Sequence, residues 1–222
     1  MTGELSWFTV WDCGLFRVIN SLFTSSFFDW LMPILSKWSL WQIPFGIVWL
    51  IYMIRGRKRA RLIGVFAIVV VVMTDQVSSA IVKPFVQRER PCNVLASVHY
   101  YDDGKWIVTD KFGLTTYKSS YSFPSSHATN MAGQAVYWGY FYPQVAPLLY
   151  LVAIVVGYSR VYLGLHYPSD IVSGYLLALV LTLLVAFPLR TWILPDSEDA
   201  LPFFSSLSLK EICPFLRTLC DA

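Results

Sequence analysis

An all-α, polytopic transmembrane bundle of about five to six spans is the fold this sequence predicts, on three observations. Of its 222 residues, 56% are hydrophobic and 17% aromatic, and only 14% are charged. A soluble domain of this length carries about a quarter charged residues. Mean hydropathy is +0.53. The apolar residues also gather into long runs separated by short polar or proline-containing breaks. The net charge of +3 is too small to argue for nucleic acid as a partner. Four cysteines, Cys13, Cys92, Cys213 and Cys220, show neither zinc spacing nor a disulfide framework.

Residues 5–24 are apolar and aromatic but broken by Asp12, Arg17 and Asn20. They read as an amphipathic helix at the membrane interface, with a buried packing helix as the plainer alternative. The stretch has no basic n-region and no small-residue cleavage site, so it does not read as a signal peptide. Residues 1–27 thus form an N-terminal interfacial segment, 28–190 a transmembrane domain, and 191–222 a cytoplasmic tail with acidic and amphipathic stretches. Within the domain, Pro33, Lys37 and Pro44 predict a short helix, a break, and a span from about Ser39 to Ile54. The next span runs from Leu62 to about Gln87. Residues 88–124 are polar and form an extramembrane loop, and further spans cover 127–142, 146–162 and 169–190. Pro143 and Pro147 bound one turn, and Pro168 opens the last helix.

Charge sets the topology. "RGRKRAR", residues 55–61, holds five cations and belongs in the cytoplasm by the positive-inside rule. The helix from Leu62 then leaves the cytoplasm. Counting onward puts its far end, the start of the helix at 127 and the turn at 160–169 on the extracytoplasmic face.

Three segments with unusual chemistry meet there. They are Lys83-x6-Arg90-Pro91, "PSSH" at 124–127, and "SRVYLGLHYPSD" at 159–170. Taken singly, each has a plain reading. Lys83 and Arg90 could be snorkelling anchors, "PSSH" a helix N-cap, and His166 with Asp170 a structural pair. Arg88 reads as an anchor paired with Glu89, and His99 in the loop as a surface residue. Jointly, the segments bring Lys83, Arg90 and Arg160 together without matching carboxylates, and a phosphate is the natural counterion. His166 can serve as nucleophile, Asp170 can hold its other ring nitrogen, and His127 can protonate the leaving oxygen. Ser125 and Ser126, at a helix start, can hold phosphate oxygens. The segments hold no acidic cluster for Mg²⁺, so neither a metal nor another cofactor is expected.

These three motifs resemble the signature of the type 2 phosphatidic acid phosphatase (PAP2) superfamily, which also includes vanadium haloperoxidases and bacterial acid phosphatases. The family pattern is Lys-x6-Arg-Pro, Pro-Ser-Gly-His, then Ser-Arg-x5-His-x3-Asp. The first and third are complete here, and Ser126 stands where the family usually has Gly. The resemblance covers residues 28–190. It implies a PAP2/haloperoxidase-like helical core with His166 as nucleophile, His127 as acid, Asp170 as orienting residue, and Lys83, Arg90, Ser125, Ser126 and Arg160 around the phosphate. The implied enzyme is a metal-independent phosphatase of the cell membrane, facing outward. Its substrate would be undecaprenyl diphosphate, phosphatidylglycerol phosphate, phosphatidic acid or a lipid A phosphate. A vanadate-dependent haloperoxidase would share the site but needs no bilayer. Intact His127, His166 and Asp170 argue against a silent lipid-binding or transport protein.

Overall fold

The computed structural model describes residues 7–110 and 115–193. Most of the tail assigned to 191–222, with Cys213 and Cys220, lies outside the described residues. Helix α1 (Trp7–Arg17) runs on through a π-helical stretch, Val18–Leu22. Helices α2 (Ser26–Ser36) and α3 (Trp38–Arg55) are separated at Lys37, whose extended backbone breaks the helix. Arg55, Gly56 and Arg57 lead into α4 (Lys58–Gln76). This helix continues through a second π-helical stretch, Val77–Val82, into the short α5 (Lys83–Val86). After α6 (Pro91–Val94) comes a two-stranded antiparallel hairpin, β1 (His99–Asp102) and β2 (Lys105–Val108), with Tyr100 opposite Ile107. Helices α7 (Ser126–Phe141), α8 (Ala146–Tyr162) and α9 (Pro168–Pro188) complete the bundle.

Helix α7 is its centre. Its buried face is built from Ala128, Thr129, Ala132, Gly133, Ala135 and Gly139, so neighbouring backbones can come close. At Gly174 of α9 a Cβ would stand 2.9 Å from Thr129 Oγ1 and 3.1 Å from the Ser125 carbonyl. That contact sets the distance between the two helices that carry the site. The outward faces of α3, α4, α8 and α9 are apolar, with Ile43, Val48, Val72, Leu148, Ile154, Val180 and Leu184 exposed. This is the pattern of a lipid-facing surface.

Among the described residues, three segments are long and apolar enough to cross a membrane: Lys58–Val94, Pro143–Tyr162 and Pro168–Thr191. A bent pair, Val10–Leu22 with Ser26–Ser36, would make a fourth if it counts as one span. Helix α7 falls short of that measure for a physical reason. It has 16 residues and carries Ser126, His127, Thr129, Asn130 and Gln134, and inside the bundle Thr129, Asn130 and Gln134 donate to the Ser125 carbonyl, Asp75 Oδ1 and the Ala67 carbonyl.

Helix α1 packs against the bundle, as the plainer of the two sequence readings has it. Its polar residues face the protein: Asp12 and Asn20 are buried, and Arg17 donates to the carbonyls of Ala96 and Ser97. Asn20 Nδ2 donates to the carbonyls of His99 (2.7 Å) and Tyr162 (2.9 Å), and its Oδ1 accepts the His99 N–H (2.9 Å). Trp11, 74% exposed, and Leu22, 76% exposed, point outward. His99 is half-buried, stacked on Trp106 with centroids 4.0 Å apart and bonded through Nε2 to Asp29 Oδ1 at 3.1 Å. It joins the hairpin to α2 and is less open than a surface residue.

Candidate active site

The third motif is shaped by the turn from α8 to α9. Helix α8 ends at Tyr162, and Gly164 takes φ +76°, a left-handed conformation that favours glycine. A Cβ there would also press to 3.0 Å from the His99 carbonyl. The chain then passes through His166 and restarts as a helix at Pro168, whose missing N–H costs nothing at that position. Asp170 lies in the first turn. Its Oδ2 accepts the Tyr167 N–H at 2.9 Å and stands 3.5 Å from His166 Nδ1. Both side chains are buried, His166 at 1% and Asp170 at 0% exposure.

The other imidazole nitrogen faces a cation. Arg90 Nη1 is 3.0 Å from His166 Nε2. A guanidinium only donates, so Nε2 must accept, and the ring proton therefore sits on Nδ1, toward Asp170. His166 lies in the turn between two spans. Burial, and next the charges of Arg90, Arg160 and Lys83, hold its imidazole well below the usual range, so it is neutral at rest. The same Arg90 is fixed by three more bonds: Nη1 to the Leu165 carbonyl (2.8 Å), Nε to the Ser120 carbonyl (2.7 Å) and Nη2 to Ser120 Oγ (3.0 Å).

Arg160, in the last turn of α8, donates through Nη1 to Ser36 Oγ of α2, while its buried Nε makes no hydrogen bond among the described residues. His127, in the first turn of α7, lies within electrostatic reach of Arg160, Lys83, Arg90 and His166. Lys83, in turn, feels Arg90 and Arg160. Three sequence-distant segments therefore bring Lys83, Arg90, His127, Arg160, His166 and Asp170 into one cluster.

The two serines differ. Ser125 is the N-cap of α7: its Oγ accepts the Ala128 N–H (3.5 Å), and its N–H donates to the Asp170 carbonyl (3.1 Å). The start of α7 is thus hung directly on the first turn of α9. Ser126 Oγ is buried and makes no hydrogen bond among the described residues, which leaves it free for a ligand oxygen.

Arg88 departs from its sequence reading. It is not paired with Glu89, which is exposed. Arg88 Nη2 meets Asp12 Oδ2 at 2.6 Å, and Nη1 meets Asp170 Oδ1 at 2.8 Å and Ser169 Oγ at 2.7 Å. The guanidinium also lies 3.9 Å above the Tyr167 ring. The reason is local backbone. Gln87 takes φ 51° and ends α5, and the irregular segment after it turns Arg88 and Arg90 inward and Glu89 outward. Ser36, Ser120 and Ser169 carry no signal in the sequence, and Asp12 stands there only as a break in an apolar stretch. The one available signal was Asp12 itself, a carboxylate in an apolar stretch that needs a counterion.

Among the described residues, no group of three His, Cys, Asp or Glu side chains is arranged to hold a metal ion. The cluster holds instead a buried imidazole, a carboxylate behind it, a second imidazole and several cations.

A sequence profile described as the PAP2 superfamily matches residues 62–192. The chain is 28% identical over 166 residues to a lipid A 4'-phosphatase of Bacteroides thetaiotaomicron, covering 73% of this chain and 70% of that protein. It is 31% identical over 170 residues to an undecaprenyl-diphosphatase of Sulfolobus acidocaldarius, covering 73% and 71%. Against phosphatidylglycerophosphatase B of Bacillus subtilis the identity is 30% over 123 residues, about half of each chain (50% and 51%). The crystal structure of a transmembrane PAP2-type phosphatidylglycerolphosphate phosphatase from Bacillus subtilis superposes with a TM-score of 0.62 at 22% identity, covering 84% of this chain and 88% of that one. With the family profile spanning more than half of its length, this membrane-embedded helical chain belongs to the PAP2 superfamily.

Proposed function

We propose that this protein is a metal-independent lipid phosphate phosphatase that works through a phosphohistidine at His166. The observation that carries the reading is the grouping of a buried imidazole, its Nε2 facing Arg90, with Lys83, Arg90 and Arg160. None of these three makes an ion pair with a described carboxylate. Cations left unbalanced in a desolvated pocket are costly unless a ligand neutralises them.

The steps follow from the atoms. A phosphoryl group enters among the cations, and its oxygens take over the donors of Arg90 and Arg160 and the hydroxyl of Ser126. Nε2 of His166 forms a bond to phosphorus as the bond to the leaving oxygen breaks. His127, protonated beside the bound dianion, gives its proton to that oxygen. Asp170 stabilises the imidazolium that results. Water then attacks phosphorus and passes a proton to His127, the P–N bond breaks, and phosphate leaves. The cations act on the charge of the transferring group throughout, which is the largest requirement of phosphoryl transfer.

The named relatives act on lipid A, phosphatidylglycerol phosphate and undecaprenyl diphosphate, so the substrate class here is a phosphomonoester or diphosphate of a membrane lipid. The site is at helix ends, and the cations of 55–61 support an extracytoplasmic location for it. Purified protein in detergent, given these lipids and phosphatidic acid, should release inorganic phosphate from at least one of them. Release should persist in EDTA and be blocked by orthovanadate, which mimics the trigonal-bipyramidal transition state. No release from any of the four would overturn the reading. For orientation, Lys105→Cys and Arg57→Cys are placed in a background without native cysteines. A membrane-impermeant maleimide applied outside should label the first and spare the second; the reverse would put the site in the cytoplasm.

A further inference from the structure

Asp170 faces two ways. Through Oδ2 it holds the Tyr167 N–H and faces His166 Nδ1; through Oδ1 it is bound to Arg88. A guanidinium this close would, by itself, weaken Asp170 as a partner for an imidazolium, because it draws on the same negative charge. The structure supplies a second carboxylate on the far side. Asp12 Oδ2 takes Arg88 Nη2 at 2.6 Å, and Asp12 Oδ1 accepts the Ser169 N–H at 2.9 Å. Ser169 Oγ donates to Asp12 Oδ2 and accepts from Arg88 Nη1. Asp12, Arg88, Ser169 and Asp170 therefore close a ring in which Asp12 is 6% exposed and Asp170 0%. Two carboxylates share one guanidinium, so the ring keeps a net negative charge beside His166. The ring also fixes the first turn of α9, and with it the carboxylate that faces Nδ1.

We propose that Asp12, carried by the N-terminal helix α1, is a positioning residue of the reaction, acting on His166 through Arg88 and Asp170. Nothing in the second and third motifs requires α1, yet α1 delivers the charge that balances Arg88. Helix α1 is thus a working part of the active centre as well as an interfacial segment. The proposal rests on the reading of His166 as nucleophile.

The test compares Asp12→Asn, Asp12→Glu, Asp170→Asn, the double variant Asp12→Asn/Asp170→Asn, and His166→Ala, as full-length protein in one detergent. Turnover is normalised to monodisperse protein, and melting is followed for each. Asp12→Asn keeps the shape and removes the charge. Its kcat should fall by about tenfold to a hundredfold, the scale of a misplaced catalytic group, with KM changed less than about twofold. Asp12→Glu should recover part of the loss, which a role in packing alone would not produce. In the Asp170→Asn background the same change should cost less than about threefold, because the two act along one path. If Asp12→Asn cannot be isolated folded, Ser169→Ala cuts one link of the ring and should lower kcat by a smaller factor, about threefold. Asp12→Asn with kcat within twofold of wild type, or with an equal loss in the Asp170→Asn background, would overturn the proposal. His166→Ala separates the two readings. If it stays active, the nucleophile assignment fails and the proposal with it. If it is dead while Asp12→Asn turns over normally, only the proposal fails.

Discussion

Arg88 and Arg90 are two residues apart and meet opposite conditions. Arg88 is held between two carboxylates and an aromatic face, so its charge is spent inside the protein. Arg90 is more deeply buried, yet its partners are neutral: two carbonyls, one hydroxyl and an imidazole nitrogen. Neutral acceptors orient a guanidinium without cancelling its charge. The charge of Arg88 is thus balanced within the protein, and that of Arg90 is not balanced by a described carboxylate. The difference cannot be read from residue type or spacing, because it depends on which carboxylates the fold brings to each.

This contrast can be broken in several places. The largest effect is expected for His166→Ala, which should lose at least about a thousandfold in turnover while the protein remains folded, since the nucleophile is removed outright. Activity within tenfold of wild type would remove His166 from that role. Arg90→Gln comes next. It should cost about a hundredfold to a thousandfold in kcat/KM, the scale of one lost donor to a transition-state oxygen, and should weaken orthovanadate inhibition in step. Arg88→Gln should behave differently. It leaves Asp12 and Asp170 buried without their shared cation, a loss of about 3–5 kcal/mol in stability by thermal or denaturant unfolding. Orthovanadate inhibition should weaken far less than in Arg90→Gln; equal weakening would erase the distinction between the two arginines.

The smallest effect concerns pH. Burial and neighbouring cations depress the His166 pKa, so the imidazole stays neutral as pH falls below the ordinary histidine range. Removing a cation raises that pKa. Lys83→Met should therefore move the acid limb of kcat/KM toward higher pH than in wild type, measured on one substrate so that substrate ionisation is common to both. A shift toward lower pH would contradict the electrostatic account.

Much of this was legible in the sequence. The break at Lys37, the turn at Pro143 and the restart at Pro168 follow from backbone rules that act within a few residues. The grouping of Lys83, His127 and His166 required only a count of spans. What was not legible depends on long-range partners or on which way a helix faces. The ring around Arg88 joins residues separated by 76 to 157 positions. The hairpin at 99–108 is short, and its residues are held by Asn20, Asp29 and Leu163 rather than by strand pairing alone. The orientation of α1 was misleading for a different reason. Polar residues on an amphipathic helix suggest water, but Asp12, Arg17 and Asn20 find the protein instead.

That orientation has a consequence for how the protein is made. Helix α1 leaves the ribosome well before the groups that satisfy its polar face: the 88–99 segment, Tyr162 and Ser169. Until those arrive, Asp12, Arg17 and Asn20 have no protein partners and must stay hydrated, because an unpaired polar group in hydrocarbon is costly. Trp11, Leu15 and Leu22 can meanwhile rest in the headgroup layer. The helix therefore gains its full set of partners only once the first turn of α9 is available. A growing or truncated chain that lacks the segment around Ser169 also lacks part of the surface on which α1 docks, so the ring of Asp12, Arg88, Ser169 and Asp170 cannot form before that segment is made.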